Sequence, residues 1–560
     1  MTRVPLRAAL ACVGLLFALN AFGQVQAGPD PLSEAIRDRV DHLRYQKDDD
    51  VRGSRVILGD YVAQYYESQQ FRADWTDPAR LDDLITAIKG TATDGLDPQN
   101  YHLAALHAYR EQMKGRPLPP AEQANLEVLA MDAVMLATYH LYEGKVDPVK
   151  LSSQWNYTPR PVPDGNPLEL LAQAIDTRPI TEIFDRARPQ HVWYQRGRER
   201  LREYREIAAA GGWSPIADGP TMKLGMNDPR VPALRHRLQV TRDLDATPET
   251  YPQSQEFDAS LEAALKRFQE RHGLTADGAV GPGTRAALNV PVSARIDQIR
   301  VNLERARWVL HEIQGDFVLV DVAGFYVSYF KNDEPVWTSR VIVGKEGRET
   351  PIFKSMIRYV VFNPTWTIPS GILVKDKLPV LKRDPGYLKR SRIKVIDSAG
   401  REVNPYTVNW SAYGAGRLPP YQFVQVPGPD NALGLVKIMF PNPYQVYLHD
   451  SPAKSLFEQD TRLFSSGCIR VQKPFELTEL VLNDPVKWNK AAIDAVVATG
   501  KTQTVNLAKP VPVLILYWTA QPRSDGQVIF RNDVYDRDAA TLAALDSDFK
   551  LPSPRAATAD

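Results

Sequence analysis

Cys468 stands in the run Ser465-Ser466-Gly467-Cys468-Ile469-Arg470-Val471, and His449 ends the apolar run Val446-Tyr447-Leu448 ahead of it. A thiolate attacks carbonyl carbon readily, but a free thiol with a pKa of about 8.5 is mostly protonated near neutrality. A nearby imidazole takes that proton and later returns it to a leaving group. Gly467 lets the backbone approach closely, and the peptide N–H groups around Cys468 would face a developing oxyanion, a feature worth about 3–4 kcal/mol in a barrier. Together these residue types suit acyl transfer through a thioester. The spacing by itself is weak evidence, because nine histidines are spread over 560 residues. What singles the pair out is the setting: a Gly-containing turn between a strand and a helix opened by Pro474, carrying one of only two cysteines.

The elements that must position this pair read as β-structure from residue 316 onward. Phe317–Val322, Phe325–Phe330 and Val336–Val343 are strand-like runs, the last two joined by a turn at Asn332-Asp333-Glu334-Pro335. Further strands are expected at Met356–Phe362, Leu435–Met439 and Gln445–His449. Residues 376–430, rich in Lys, Arg, Pro and Gly with weak periodicity, read as a long insertion, and long insertions near a site are often lids. Residues 501–560 read as one more strand, Val511–Trp518, followed by a mobile tail.

Upstream, residues 28–215 are helical, with apolar sets such as Leu81, Leu84, Ile85 and Ile88 at helical spacing and breaks at Asp77-Pro78, Asp94–Pro98 and Asp147-Pro148. The scattered His102, His107, His140 and His191 form no catalytic constellation, and a helical scaffold is the reading. A Gly/Pro-rich stretch from Gly211 to Pro220 marks a boundary before a compact unit at 222–290. There Leu261, Ala264, Leu265 and Phe268 make one apolar stripe, with Asp258 as N-cap and Gly273 as C-cap. Residues 295–312 read as an amphipathic linker helix. Residues 1–27 have the three parts of a secretory signal: Arg3 and Arg7, the apolar run Ala8–Ala21, and small residues at Val25-Gln26-Ala27. An uncleaved N-terminal anchor is the alternative, and it is the one expected membrane contact. Removal of the signal takes Cys12 with it and leaves Cys468 without a disulfide partner.

Composition narrows the field further. Fractions of 43% hydrophobic and 24% charged residues exclude a disordered chain and a multi-span membrane protein. With 68 basic against 67 acidic residues there is no electrostatic case for nucleic acid. Two cysteines give no Cys-rich zinc site, and neither an HExxH pair nor a Gly-rich phosphate loop occurs, so no metal and no cofactor is expected.

Residues 222–290 resemble the small three-helix peptidoglycan-binding module of bacterial wall enzymes, through Leu265-Lys266-Arg267-Phe268-Gln269, His272-Gly273-Leu274 and the loop from Asp277-Gly278 to Gly281-Pro282-Gly283-Thr284. That implies binding of glycan or stem peptide, a packing role being the alternative. Residues 316–500 resemble the L,D-transpeptidase family, in its large Gram-negative type. The resemblance rests on Val343-Gly344 with Thr350-Pro351, Phe362–Pro369, Tyr447-Leu448-His449-Asp450 and Phe464–Val471. It implies Cys468 as nucleophile, His449 as general base and acid, the Asp450 backbone carbonyl as the group orienting His449, and the Gly467 backbone as part of the oxyanion loop. Ser466 stands where smaller members carry a second His. Arg470 would hold a substrate carboxylate or else pin the loop through a salt bridge. Tyr447 and Trp366 would line the substrate groove or else belong to the core; with Ser466 and Arg470 they make the expected substrate-binding set.

The fold expected is therefore α+β and multidomain: a helical scaffold, a three-helix peptidoglycan-binding module, and a mostly-β catalytic domain with a long inserted lid. The implied activity is formation of 3→3 peptidoglycan cross-links through a Cys thioester. An L,D-carboxypeptidase, a wall-protein anchoring enzyme and a non-catalytic peptidoglycan-binding scaffold are the alternatives. Peptidoglycan stem peptides and glycan are the expected partners, other wall synthases further candidates, the periplasm the expected location, and carbapenems expected acylating agents.

Overall fold

The computed structural model describes residues 30–551 apart from 47–48, 153–154, 157–159, 161–164, 246–252, 312 and 314. The signal-like segment at 1–27 and Cys12 lie outside the described residues. The chain divides into two compact units. One contains the chain to Leu151, Tyr157–Ile313 and everything from Thr519; the other contains Ser152–Asn156 and Gln314–Trp518.

The first unit is helical, and its longest helix, Pro120–Glu143, is buried along most of its length. Such a helix must satisfy its polar side chains internally. Glu127 accepts the Asp74 and Trp75 amides and the Tyr66 hydroxyl. Asp132 accepts the Leu58 amide at 2.6 Å and bonds His102 Nε2 at 2.7 Å. These acids staple the loops ahead of two neighbouring helices to the central one. Asp132→Ala would strand the Leu58 amide, the half-buried Ile57 amide and the His102 imidazole. The expected loss is about 3 kcal/mol, read as a lowered first thermal transition.

The binding-type module within this unit has helices at Val231–Val240, Ala259–Arg271 and Pro282–Leu288 around an apolar cluster that includes Leu234, Leu261, Leu265, Phe268 and Val280. Asp258 caps the middle helix, its carboxylate accepting the Leu261 amide at 2.9 Å. Gly273 follows that helix at φ +69°, where a side chain would be strained.

Two expectations for this unit need correction. The helix Val292–Val309 is not amphipathic in its second half, because Glu304, Arg305 and Arg307 are buried along with its apolar residues. Arg307 pairs with Glu304, and Arg305 with Asp538 at 2.7 Å. Buried ion pairs mimic a polar helix face in the sequence while serving the interior. The stretch after the last strand is also ordered through Leu551: Ala520–Pro522 pairs with Val528–Phe530, and Asp538–Asp546 is a helix. The remaining tail, 552–560, lies outside the described residues.

The strands of the second unit are β1 (Phe317–Asp321), β2 (Tyr326–Lys331), β3 (Glu334–Gly344), β4 (Ile352–Phe362), β5 (Trp366–Thr367), β6 (Ile393–Ile396), β7 (Gln422–Gln425), β8 (Val436–Met439), β9 (Leu448–His449), β10 (Leu463–Ser465), β11 (Ile469–Val471) and β12 (Gln503–Leu516); all but β5, β6 and β7 belong to one main sheet, to which Trp155–Asn156 adds a short strand beside β4. Pairing runs β8-β9-β11-β3-β2-β1-β12-β4 and returns from β4 to β8, so the sheet closes on itself. Closure removes the exposed edges an open sheet would carry. β2 and β3 meet at a two-residue turn, with Asn332 and Asp333 at φ 51° and 66°, the left-handed geometry that matches strand twist. β12 begins at Gln503, ahead of the apolar run, because its first half alternates polar residues and passes an irregularity between Asn506 and Val511.

Between β4 and β8 the chain forms a folded insertion with its own three-stranded sheet, β5-β7-β6, and helices at Leu378–Arg383 and Gly386–Arg390. Trp366, Leu373, Leu381, Val395, Trp410 and Phe423 are among its core. It starts earlier than the expected residue 376, since β5 is already part of it. Its elements are too short to show a period, which is why the sequence reads as irregular.

Candidate active site

β9 is two residues long and lies between β8 and β11. Lys437 faces His449 across the antiparallel pair, and Arg470 faces His449 across the parallel one. Side chains alternate along a strand and register partners share a face. Lys437, His449 and Arg470 therefore lie in one row; Tyr447 and Cys468 stand just ahead of β9 and β11, with the Tyr447 ring against His449 and under Lys437 Nζ. The intervening Ile438, Leu448 and Ile469 are fully buried on the opposite face. Hydrophobic residues thus fix the register that sets out the polar ones.

The Cys468 loop is held from several sides. Gly467 sits at φ +113°, which an L side chain rarely adopts. Its amide donates to Ser465 Oγ at 3.1 Å, and its carbonyl accepts from Thr350 Oγ1 at 2.9 Å. The Gly467 N–H is thus engaged within the loop itself. Among the described residues the Cys468 amide has no acceptor, so it is the free donor beside the sulfur. Ser466 Oγ accepts from Arg348 at 2.9 Å, and Arg348 also pairs with Asp376 of the insertion. Gly344 is required where the β3–β4 connection folds back, because a Cβ there would lie 2.1 Å from the Arg348 carbonyl. Gly344→Ala should displace Thr350 and slow acylation of Cys468 more than tenfold, measured as the time course of mass gain.

Cys468 is half-buried, and its sulfur lies 3.6 Å from the Gln445 carbonyl. Burial pushes the thiol up, while the Tyr447 amide and hydroxyl, then the charges of Lys437 and Arg470, oppose that rise. His449 is buried, and its Nδ1 lies 2.5 Å from the Asp450 carbonyl. A carbonyl only accepts, so Nδ1 carries the proton and Nε2 of the neutral ring keeps its lone pair. Burial, with the Arg470 charge, pushes the imidazole down to about 3 against the pull of the Asp450 and Leu433 carbonyls. The ring is thus neutral at neutral pH.

The remaining expected residues fall out differently. The Asp450 side chain accepts the Leu435 amide at 2.9 Å and pairs with Lys454 at 2.5 Å, tying the exit of the insertion to the loop after β9. Tyr447 reaches Cys468 through its hydroxyl and stands 5.7 Å from the His449 ring, centroid to centroid. Arg470 has no ion pair among the described residues, so the pinning salt bridge is not formed. Trp366 is 9% exposed and packed in the insertion's core, which corrects its placement on the substrate groove. Lys437 was not singled out in the sequence. The signal was a lone charge in the otherwise apolar run Leu435–Met439. Among the described residues no group of three or more His, Cys, Asp or Glu could hold a metal ion.

Residues 315–515, the span of this sheet and site, match the family described as the L,D-transpeptidase catalytic domain. That part of the chain is similar to L,D-transpeptidase catalytic domains. Residues 227–288 match the family described as "Putative peptidoglycan binding domain", and residues 60–201 match a scaffold domain. A protein of Haemophilus influenzae named "Putative L,D-transpeptidase" is 32% identical over 241 residues, which is 43% of this chain and 48% of that protein. The chain therefore spans about half the length of the curated relative it matches. An L,D-transpeptidase structure from Xylanimonas cellulosilytica aligns at 14% identity and a TM-score of 0.16, covering 54% of this chain and 99% of that one. One from Stackebrandtia nassauensis aligns at 14% identity and a TM-score of 0.21, covering 54% and 97%. Among the described residues no helix is long and apolar enough to cross a membrane.

Proposed function

We propose that this protein is a periplasmic peptidoglycan L,D-transpeptidase that forms 3→3 cross-links through a thioester on Cys468. The observation that carries the reading is the pairing of β9 with β11, which sets a half-buried thiol, one residue ahead of β11, beside the strand that carries a neutral, carbonyl-oriented imidazole, within the residues similar to L,D-transpeptidase catalytic domains.

His449 Nε2 takes the Cys468 proton as the sulfur attacks the L-centre carbonyl of the third residue in a tetrapeptide stem. The Cys468 amide donates to the oxyanion. Collapse breaks the peptide bond, and the departing D-Ala amine takes the proton from His449. The side-chain amine of a second stem's diamino acid then attacks the thioester and passes its proton to His449. The sulfur leaves as thiolate, and the new amide is the cross-link. Arg470, free of an ion pair, serves a substrate carboxylate, and the 227–288 module keeps the enzyme on the wall.

The test is incubation with purified tetrapeptide muropeptide and mass analysis of the products. A dimer that has lost one D-Ala supports the transpeptidase. Tripeptide alone would make it an L,D-carboxypeptidase. Unchanged substrate with no protein adduct would overturn the reading.

A further inference from the structure

Lys437 lies in one row with His449 and Arg470, is half-buried, and forms no ion pair among the described residues. An ammonium drawn partly out of water without a carboxylate is costly and calls for a reason. Its Nζ stands 4.1 Å from the centroid of the Tyr447 ring, a cation–π seat that fixes the charge in place. The hydroxyl of that same Tyr447 reaches Cys468.

The groups around it leave one partner. β9 contributes the neutral His449 and β11 contributes Arg470, while Tyr447 and Cys468 stand one residue ahead of those strands. The Asp450 carboxylate is taken by Lys454 and the Leu435 amide, and Asp376 of the insertion by Arg348. From the β3–β4 connection, the backbone carbonyls of Glu349 and Arg348 and the Thr350 hydroxyl lie near Gly467. Burial pushes the Lys437 ammonium down, and the charge of an ionised Cys468 opposes that fall.

We propose that Lys437 is a positioning residue for the nucleophile: its ammonium, braced on the Tyr447 ring, is the fixed charge against which the Cys468 sulfur becomes a thiolate. The proton released goes to His449 Nε2, and no other group changes charge. The same ammonium disfavours an imidazolium on His449, so the proton held there passes readily to the departing amine. The proposal rests on Cys468 being the nucleophile.

The experiment is alkylation of the full chain by iodoacetamide, a small uncharged reagent, followed at Cys468 by peptide mass from pH 5 to 10. Wild type is compared with Lys437→Met and Lys437→Arg, with thermal unfolding recorded for each. In Lys437→Met the inflection should rise by about one pH unit and the rate at neutral pH fall about tenfold, with the thermal transitions kept. Lys437→Arg should restore most of the wild-type profile. Should the Met variant not fold, Lys437→Gln carries the same expectation. A Met or Gln variant that titrates with wild type, or an Arg variant that does not restore the profile, overturns the assignment of Lys437. A Cys468→Ala protein that still converts tetrapeptide muropeptide would instead overturn the nucleophile reading beneath it.

Discussion

Cys468→Ala is expected to abolish both covalent adduct formation with a carbapenem and turnover of tetrapeptide muropeptide, while the protein stays folded. Alanine supplies no atom that can form the thioester, and the oxyanion donor and binding contacts left behind do not replace a nucleophile. The fold should tolerate the change, because the sulfur is half-buried and the loop is held by bonds that survive it. The Ser465 hydroxyl donates to the Cys468 carbonyl at 2.6 Å, and the Ile469 amide donates to the Tyr447 carbonyl at 3.1 Å. Intact-mass spectra after exposure to carbapenem, beside thermal unfolding curves, check both halves. An undiminished adduct on the alanine protein would sink the assignment.

The second large effect is expected at His449. Loss of the imidazole in His449→Ala removes the acceptor of the thiol proton, and positioned general bases are worth about 10²–10⁴-fold. The rate of adduct formation should fall by that factor while the site of modification stays at Cys468. The pH dependence carries a separate signature. The folded imidazole titrates at about 3, whereas a solvated histidine titrates near about 6.5. Between these values the unfolded chain binds a proton that the folded chain does not. Stability therefore falls as pH drops through that window, by a few kcal/mol at its lower end, and is fully present above it. Acid unfolding of the catalytic unit should move to lower pH in His449→Gln, which has no such proton to bind. A variant that unfolds at the same pH as wild type would show that His449 titrates normally.

Both predictions use residues that the sequence already exposes, because nucleophile chemistry leaves a local trace. A lone cysteine in a Ser-Gly turn, followed by Pro474 opening a helix, is legible without any tertiary knowledge. So are the cap at Asp258, the helix end at Gly273 and a turn beginning at Asn332-Asp333, since each is fixed by a few neighbouring residues, although the turn is two residues shorter than the run Asn332–Pro335 suggests. The strands of the catalytic sheet were equally readable wherever apolar runs were long.

What the sequence left open depends on partners distant along the chain. Whether Glu304, Arg305 and Arg307 face water or one another is decided by Asp538 and by the packing of their helix. Trp366 reads as a groove residue until β5 pairs with β7 and turns it into the insertion's core. Whether the Gly467 amide is engaged within the loop is decided by the Ser465 hydroxyl, which accepts it. Lys437 gains meaning only when β8 pairs with β9 in a register that sets it opposite His449. Reactivity belongs to residue types and their immediate neighbours, so the chemistry open to Cys468 and His449 can be read along the chain. Which amide, which cation and which aromatic ring accompany them follows from strand register and burial, and these are set by the packing of the whole sheet.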